Sequence, residues 1–292
     1  MNPSGPAFLK VDQVILVSTA NPAYLPRWNR AARIWRTKFG VEPVLYFVGT
    51  PAEWEAAKTR GRLSEEHGVV HFLPRALPSE NVARCWQAPT TLFWAASHHP
   101  AKPGTDPVRM VSGLDVVLTG PQIFECLAGV PATGFAIPLS GAYLPGCKHV
   151  WATRFRELFK RKYIYYPSAF LSARASVWRS TMAVSGDYAK FIRDTSANPR
   201  LEAMYVDVPG RWGLDEAYLS DRLDTLSGDP RIEYRPSFYY DRWHSNQLVY
   251  CAAYEPLHVR WGRYVAVNAV CREGDAEDKW LDELENRIQV WQ

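Results

Sequence analysis

The sequence lacks the features that mark several large classes of protein. It contains no run of roughly 18 apolar residues, so no membrane-spanning helix is predicted. Met1 to Gly5 show no basic segment followed by an apolar one, and we therefore expect no signal peptide. The glycine-rich signatures of P-loop NTPases and dinucleotide-binding domains are missing, as is the GxSxG motif of α/β-hydrolases. These three functions are therefore without support.

Cysteine is scarce and unpatterned. The five cysteines are scattered, odd in number and never arranged as CxxC, so neither a disulfide framework nor a zinc site is predicted. This usage is typical of a reducing compartment, and we expect a cytoplasmic protein. The net charge is only +4 and the pI about 8.7. Such a balance suits a phosphate-bearing ligand, but it lies below the pI of about 9 that dedicated nucleic-acid-binding domains exceed.

The chain is instead rich in aromatic residues and proline. It has 12 Trp, 15 Tyr, 12 Phe and 22 Pro among 292 residues, with 47% apolar and 22% charged residues. The overall balance is that of a globular protein, and no linker divides it. We expect most of the rings to pack in a core and some to line a cleft, where flat rings stack on bases or sugars. The prolines predict many ordered loops.

Apolar runs and helical periodicities alternate along the chain, which predicts an α/β fold. Predicted strands lie at Gln13 to Val17, Pro43 to Val48, Val69 to Leu73 and Phe170 to Arg174. Predicted helices lie at Leu25 to Phe39 with Gly40 as the stop, Ala52 to Lys58, Asn81 to Ser97 with a kink at Pro89, Trp178 to Val184, Tyr188 to Arg193, Gly213 to Leu226 and Asp275 to Val290.

One carboxylate interrupts an apolar stretch. The segment MVSGLDVVL is predicted as one strand with Asp115 at its centre. An ionised Asp in such a place costs several kcal/mol unless it is paired, hydrogen-bonded or bound to a cation. Asp115 therefore faces either a metal ion or sugar donors, or else it pairs with a buried arginine such as Arg109 or Arg84.

Four segments in order resemble the GT-A glycosyltransferases. They are the opening strand and loop from Val14 to Asn21, the helix with Arg84 and Gln87, the Ser112-Gly113-Leu114-Asp115 segment where those enzymes carry a DxD motif, and the Trp212-Gly213-Leu214-Asp215-Glu216 helix start. The resemblance implies a single GT-A-like, Rossmann-like α/β domain over residues 1–292, with a mixed, mostly parallel sheet flanked by helices. A donor half would occupy about 10–120, and an acceptor half with the C-terminal helix about 121–292.

The resemblance also implies a donor site for a UDP-, GDP- or dTDP-sugar. Tyr24 would stack on the base, and Arg27 or Arg84 would reach a phosphate; the alternative for both arginines is a solvated helix surface. The implied donor-binding residues are Ser18, Thr19, Ala20, Asn21, Tyr24, Arg27, Arg84, Gln87, Ser112, Gly113, Leu114 and Asp115.

The resemblance also implies a metal ion, but the chain departs from the family pattern, because Gly113 stands where the first Asp of DxD belongs. Asp115 and His258 are the candidate ligands for manganese or magnesium, which prefer several oxygen ligands. Alternatively, Arg or Lys neutralises the diphosphate, and His258 is an ordinary loop histidine. The adjacent His98 and His99 lack a third ligand and are not predicted to bind a metal.

The catalytic candidates are Asp215 and Glu216, one of which would act as the general base of an inverting transfer. Their alternative role is structural, since acidic residues in a first helical turn are favoured by the helix dipole. We favour Asp215 as the base. The implied acceptor-binding residues are Trp212, Gly213, Asp241, Arg242 and Trp243.

The acceptor is expected to be a hydroxyl of a glycan or a small molecule, in a hexosyl- or pentosyltransferase reaction. A DNA base is the second possibility, because the segment from Arg154 to Lys162 is locally basic, although such runs are usually solvated. The rival hypothesis is a non-catalytic nucleotide- or DNA-binding module in which Gly113 marks a lost active site.

Overall fold

The computed structural model describes residues 10–77, 83–114, 116–118, 124, 134–136, 168, 170–199, 201, 214–225, 248–250, 266–268 and 285–286. The strands in chain order are β1 (Gln13–Ser18), β2 (Glu42–Gly49), β3 (Val69–Pro74), β4 (Val108–Val111), β5 (Val116–Leu118), β6 (Phe135–Ala136), β7 (Ser172–Arg174), β8 (Leu248–Tyr250) and β9 (Ala266–Asn268).

A six-stranded sheet with the order β3-β2-β1-β4-β7-β6 forms the centre of the described structure. Strands β3, β2, β1 and β4 run parallel, with Ile15 of β1 level with Val44 of β2 and Val111 of β4. Strand β7 runs antiparallel to both β4 and β6. The mixed, mostly parallel sheet predicted from the sequence is therefore confirmed. A second sheet has three strands in the order β5-β9-β8.

Helices connect and cover the central sheet. They are α1 (Trp28–Phe39), entered by a 3₁₀ turn at Leu25–Arg27, α2 (Pro51–Thr59), α3 (Ala88–His98), α4 (Ala175–Met182), α5 (Tyr188–Ser196) and α6 (Leu214–Thr225). Residues 285–286 are helical and fall in the predicted C-terminal helix.

Two short sequence features set helix ends, and the first of them, Gly40, was predicted. Gly40 follows α1 with a φ of 65°, in the left-handed region where glycine carries no Cβ penalty. The side chain of Thr50 accepts a hydrogen bond from the backbone N–H of Glu53, whose carboxylate accepts one from the N–H of Thr50. This reciprocal capping box begins α2.

Alternate residues of the parallel strands face different helices. Phe47 of β2 contacts Trp54 of α2, and Trp54 also contacts Phe72 of β3. Their chain neighbours point the other way: Tyr46 packs against Trp94 of α3 and stacks on His71 of β3. The sheet is therefore covered on both faces, as the continuous apolar runs of its strands predict.

The structure corrects the prediction of one strand across MVSGLDVVL. Strand β4 ends at Val111, and β5 begins at Val116 in the other sheet. A bend at Ser112 to Leu114 separates them, with the N–H of Val116 3.4 Å from the carbonyl oxygen of Gly113. The sequence does not show this break because both halves of the segment are apolar, although β4 belongs to the central sheet and β5 to the second sheet.

The helix predicted from Asn81 to Ser97 consists of a π-helical turn at Ala83–Gln87 followed by α3, which has Pro89 in its first turn. One smaller prediction is wrong. The strand predicted from Phe170 begins only at Ser172, since Phe170 has a φ of 62° and is not extended.

A buried cation joins β4 to the end of α3. The side chain of Arg109 is fully buried, and its guanidinium donates to the carbonyl oxygens of Ala96 at 2.8 Å and His99 at 2.5 Å, and to Oε1 of Gln13 at 3.2 Å. The last carbonyls of a helix carry its negative dipole end, so they suit a cation. The phenol of Tyr46 lies 2.8 Å from Nδ1 of the same His99.

Candidate functional site

The candidate site lies at the carboxyl ends of β1 and β4. From β1 the chain passes to β2 and β3 on one side, and then crosses back to β4 on the other side of β1. Two loops that leave neighbouring parallel strands in opposite directions open a crevice between them, and ligands of open α/β sheets bind at this switch point. We call the region formed by residues 18–24 and 112–114 the switch-point crevice.

The β1 side of the crevice is a turn that its own side chains hold in place. Oγ1 of Thr19 accepts from the N–H of Asn21 at 3.3 Å, and Oδ1 of Asn21 accepts from the N–H of Ala23 at 3.0 Å. The carbonyl oxygen of Asn21 accepts from the N–H of Tyr24 at 3.2 Å. Ser18, Thr19 and Asn21 are buried, and Ala20 and Tyr24 are half-buried. The predicted base-binding loop is thus preorganised.

The β4 side of the crevice begins at Ser112. Its N–H donates to the carbonyl oxygen of Ile15 at 3.1 Å, which joins the loop to β1. Ser112 and Leu114 are buried and Gly113 is half-buried. The structure therefore brings the two loops predicted for the donor together at one sheet edge. Asp115, the next residue, lies outside the described residues.

The three remaining predicted donor residues differ in their surroundings. Arg27 is only 9% exposed, so a solvated helix surface does not account for it. The backbone of Arg84 belongs to the π-helical turn before α3. Gln87 is fully buried, and its amide oxygen accepts from the N–H groups of Ala76 and Leu77 at 3.1 and 3.3 Å.

The Gln87 amide nitrogen is equally engaged. It donates to the carbonyl oxygen of Pro74 at 3.2 Å and to the phenol oxygen of Tyr188 at 3.0 Å. Tyr188 is also 2.8 Å from Oγ1 of Thr91, and burial raises the pKa of its phenol to about 12. Gln87 thus fixes the loop that follows β3 at the carboxyl edge of the sheet, and it has this role whether or not it touches a ligand.

The candidate base, Asp215, comes from a different element of the chain. Asp215 lies in the first turn of α6 and is 7% exposed. Burial raises the pKa of its carboxyl, and hydrogen bonding with Ser168 and with the backbone of residues 215 and 216 acts in the opposite direction. A buried carboxyl with a raised pKa is typical of functional sites, although structural groups show it too. The neighbouring Glu216 is half-buried.

Helix α6 is fixed by its packing, which in turn fixes Asp215. Leu219 and Leu223 are fully buried in the main core cluster with Trp178 of α4. The phenol of Tyr218 donates to the carbonyl oxygen of Met182 at 3.2 Å, and Arg222 donates to that of Thr181 at 3.2 Å.

Sequence reasoning missed two residues of this region, Ser168 and Phe170. Ser168 hydrogen-bonds Asp215, and the N–H of Phe170 donates to the carbonyl oxygen of Val111 at 2.7 Å. Nothing in a single sequence marks a serine as the partner of a distant carboxylate. Aromatic residues such as Phe170 are common in strands, so its left-handed backbone conformation could not be predicted from the sequence.

Several predicted residues lie outside the described part of the chain. They are Asp115, Trp212, Gly213, Asp241, Arg242, Trp243 and His258. Within the described ranges, no three His, Cys, Asp or Glu side chains cluster as metal ligands. Of the helices in those same ranges, none has the length and apolar character that crossing a bilayer requires.

A separate polar cavity of about 280 Å³ lies beside α1. Arg33 beside it forms an ion pair with Glu285 at 2.7 Å, and Nε2 of His67 lies 3.6 Å from a carboxylate oxygen of Glu66. The cavity is lined by Pro26, Asn29, Arg30, Ala32, Arg33, Ser64, Glu66 and His67, none of which belongs to the switch-point crevice.

The fold has counterparts among solved structures. No family model and no curated protein matches the sequence. An active-site mutant of LgtC is similar over 94% of this chain and 95% of its own, with a TM-score of 0.50 and 11% identity. The galactosyltransferase LgtC in complex with donor and acceptor sugar analogues gives 0.49 and 10% over 96% and 97%, and mouse xyloside xylosyltransferase 1 gives 0.40 and 14% over 78% and 85%.

At such low identity the likeness concerns the fold. The mixed, mostly parallel sheet flanked by helices is the arrangement that the sequence resemblance predicts. The chain has the GT-A fold, which it shares with the LgtC mutant structure.

Proposed function

We propose that this protein transfers a sugar from a nucleotide-sugar to a hydroxyl acceptor. The observation that carries the proposal is the switch-point crevice, where the two loops that resemble the donor site of GT-A enzymes meet at the carboxyl edge of a GT-A fold. Ligand position in such sheets follows from topology, so the crevice is the place for the nucleotide.

In this proposal the β1 loop holds the base and ribose of a UDP-, GDP- or dTDP-sugar. Thr19 and Asn21 are fixed by their own turn, so little ordering entropy is lost when a ligand binds. Tyr24 stacks on the base, and Ser18 and Ala20 complete the wall. Arg27 and Arg84 neutralise the diphosphate, and Ser112 to Asp115 contact the ribose and the sugar.

A divalent metal is a second way to neutralise the diphosphate. Asp115 and His258 would hold manganese or magnesium, and the ion would supply positive charge beside the leaving group. Because Gly113 supplies no carboxylate where the first Asp of DxD belongs, Arg27 and Arg84 supply that charge in the proposed reaction.

Asp215 is the proposed base, with Glu216 as the alternative. The acceptor oxygen attacks the anomeric carbon, the bond from that carbon to the diphosphate oxygen breaks, and the acceptor proton passes to the Asp215 carboxylate. The nucleoside diphosphate leaves with the bonding electrons. The configuration at the anomeric carbon is inverted. General-base catalysis of this kind contributes about 10²–10⁴-fold.

The acceptor is proposed to lie between Asp215 and the residues Trp212, Gly213, Asp241, Arg242 and Trp243. A glycan or a small alcohol is the proposed acceptor class. Activity on duplex DNA would fall steeply with added salt if phosphate contacts supplied the affinity, which separates a DNA acceptor from a neutral one.

The test is a panel of UDP-, GDP- and dTDP-sugars, assayed for binding, hydrolysis and transfer with and without manganese. We expect one donor to bind and turn over, and Asp115→Ala to abolish turnover while the circular dichroism spectrum is unchanged. Asp215→Asn should lower kcat at least 100-fold, whereas Glu216→Gln, the matched change at the next position, should be much milder. If no nucleotide-sugar in the panel binds, the proposal is wrong.

A further inference from the structure

Polar rings from two strands meet the residue that follows α3. Nδ1 of His99 lies 2.8 Å from the phenol oxygen of Tyr46 on β2. His71 of β3 stacks on the Tyr46 ring with 4.9 Å between ring centroids, and its centroid lies 5.1 Å from that of His99. Tyr46 and His99 are buried, and the buried Nε2 of His71 has no hydrogen-bond partner among the described residues. Two imidazoles therefore lie side by side in a poorly hydrated place.

In the contact between Tyr46 and His99 the phenol donates and the imidazole accepts. Burial raises the pKa of the Tyr46 phenol well above its ordinary value, so the phenol keeps its hydrogen. A buried hydroxyl hydrogen needs an acceptor, and in the described part of the chain the one hydrogen-bond partner of this phenol is Nδ1 of His99. The network therefore assigns a neutral His99 with its hydrogen on Nε2.

A second positive charge is unfavourable at this place. Arg109 of β4 already donates to the carbonyl oxygen of His99 at 2.5 Å. Burial and the charge of Arg109 lower the pKa of His99 to about 3, and burial also lowers the pKa of His71. The other titratable or charged groups around the cluster are His98 of α3, Arg179 of α4, Glu65 before β3 and Asp106 before β4.

The two acids do not neutralise a charge on His99. Glu65 is exposed, and the carboxylate of Asp106 accepts from the N–H of Ser176 at 2.9 Å. Nε2 of His98 lies 3.4 Å from the carbonyl oxygen of Val184, a contact that protonation keeps because the nitrogen is the donor. Of the two histidines that end this segment, His99 is therefore the one whose side-chain hydrogen bond depends on the neutral form.

The Tyr46–His99 hydrogen bond fixes the start of the connection between α3 and β4. The N–H of His99 donates to the carbonyl oxygen of Ala95 at 2.8 Å and so completes the last turn of α3. Residues 100–105 that follow are exposed. Apart from the bonds that Arg109 makes to backbone carbonyls, the phenol of Tyr46 is the contact that holds the His99 side chain on the sheet.

We propose that the Tyr46–His99 hydrogen bond is an acid-sensitive switch, which holds the last turn of α3 on the sheet at neutral pH and releases it when His99 is protonated. Protonation places a hydrogen on Nδ1, so the phenol loses its acceptor, and it adds a positive charge beside Arg109. A charged His71 would instead lie over the face of the Tyr46 ring, which is a favourable place for a cation. We therefore assign the switch to His99. This inference does not depend on the proposed function.

The direction of the pH effect follows from linkage. The pKa of His99 is lower in the closed form than in a hydrated, open form, so the closed form has its full advantage above about pH 6.5 and loses it as the pH falls toward about 3. Opening of the last turn of α3 should become up to tenfold more frequent for each pH unit in that window, or about 30-fold more frequent at pH 5 than at pH 7.5.

The experiment measures amide hydrogen exchange in the last turn of α3 of the full chain, corrected for the intrinsic exchange rate at each pH. We expect the protection factors there to fall about 30-fold between pH 7.5 and pH 5. Low concentrations of urea should hardly change them, because a local opening exposes little surface, whereas the amides of β1 should follow global unfolding.

Three variants separate the hydrogen bond from the charge. His99→Asn keeps an acceptor but does not titrate, so the pH dependence in the last turn of α3 should largely disappear. Tyr46→Phe removes the donor and should make opening about fivefold more frequent already at pH 7.5. His67→Asn, a matched change at a histidine outside the cluster, should behave as the wild type.

The inference is overturned if the last turn of α3 exchanges with the same urea dependence as β1, or if His99→Asn retains the wild-type pH dependence. The wild type supplies a test that needs no variant to fold. The ring chemical shifts of His99 should stay those of a neutral imidazole between pH 7.5 and pH 5 in the closed form. A His99 that protonates near pH 6.5 while the last turn of α3 keeps its protection would also overturn the inference.

Discussion

Replacing Arg109 with methionine tests how a cation is stabilised in the core of this protein. Methionine fills much of the same volume but leaves the carbonyl oxygens of Ala96 and His99 without their donors. An unsatisfied buried acceptor costs about 1–3 kcal/mol, or about 4 kcal/mol for the two. Burial also makes the charge itself costly and lowers the pKa of Arg109 to about 10, and the variant recovers part of that cost. We expect a net loss of about 3 kcal/mol.

The assay is urea unfolding followed by tryptophan fluorescence and by circular dichroism. Coincident transitions establish that one free energy of unfolding applies, and an unchanged slope with urea shows that the compactness of both states is preserved. Amide hydrogen exchange gives a local readout, because the last turn of α3 should lose protection before the sheet does.

Arg109→Lys is the matched control. Lysine keeps the charge but not the planar fork that reaches two carbonyls and Gln13 at once, so we expect a loss of about 1–2 kcal/mol. The reasoning is refuted if Arg109→Met unfolds within about 0.5 kcal/mol of the wild type, or if Arg109→Lys is the less stable of the two variants.

Three further predictions concern stability. Burial and the charge of Arg109 lower the pKa of His99 to about 3 from 6.5, so the unfolded chain binds this proton at a higher pH than the folded chain does. The free energy of unfolding should therefore fall as the pH drops from about 6.5 to about 3, by up to about 1.4 kcal/mol per pH unit. His99→Asn should lessen this slope in urea titrations between about pH 7 and pH 5. Gly68→Ala should cost about 2 kcal/mol, because its Cβ would lie 2.6 Å from the carbonyl oxygen of Pro43, measured as a lower urea midpoint. Thr50→Ala should cost about 1 kcal/mol through loss of the α2 cap, measured in the same way.

Each of these has a result that contradicts it. An equal pH slope in His99→Asn and wild type would show that other groups carry the acid sensitivity. Gly68→Ala should be costlier than Gly104→Ala, where φ is +76° but no atom lies within 4 Å; the reverse order would contradict the contact argument. Thr50→Ser keeps the hydroxyl, and if it destabilises as much as Thr50→Ala, the cap is not the cause.

The elements that the sequence predicted correctly are those set by local signals. The run at Gln13 to Val17 is buried on both faces, Gly40 ends its helix with a left-handed φ, and α6 begins beside the acidic pair Asp215 and Glu216. Each depends on residues a few positions apart, so a single sequence contains the necessary information.

The features that the sequence did not predict depend on distant partners. The sequence suggested an acidic partner for Arg109, but its guanidinium donates instead to the last carbonyls of α3. Gln87 has a polar side chain of the kind that binds ligands, yet its amide makes hydrogen bonds to the backbone of the protein itself. Ser168 affects the pKa of Asp215 by hydrogen bonding, and this effect depends on the packing of α6, which no local sequence pattern shows. Such pairings are decided by tertiary packing, which one sequence without its relatives does not display.

The division of MVSGLDVVL between two sheets has a consequence for how the protein forms. Strand β1 pairs with β2 through neighbours such as Ile15 and Val44, whereas Val116 of β5 pairs with Asn268. Closing a long loop costs more entropy than closing a short one, and pairings distant in sequence form slowly. During synthesis the strands around β1 can therefore pair early, whereas β5 can pair only after Asn268 has been made. The second sheet thus forms after the parallel strands of the central sheet.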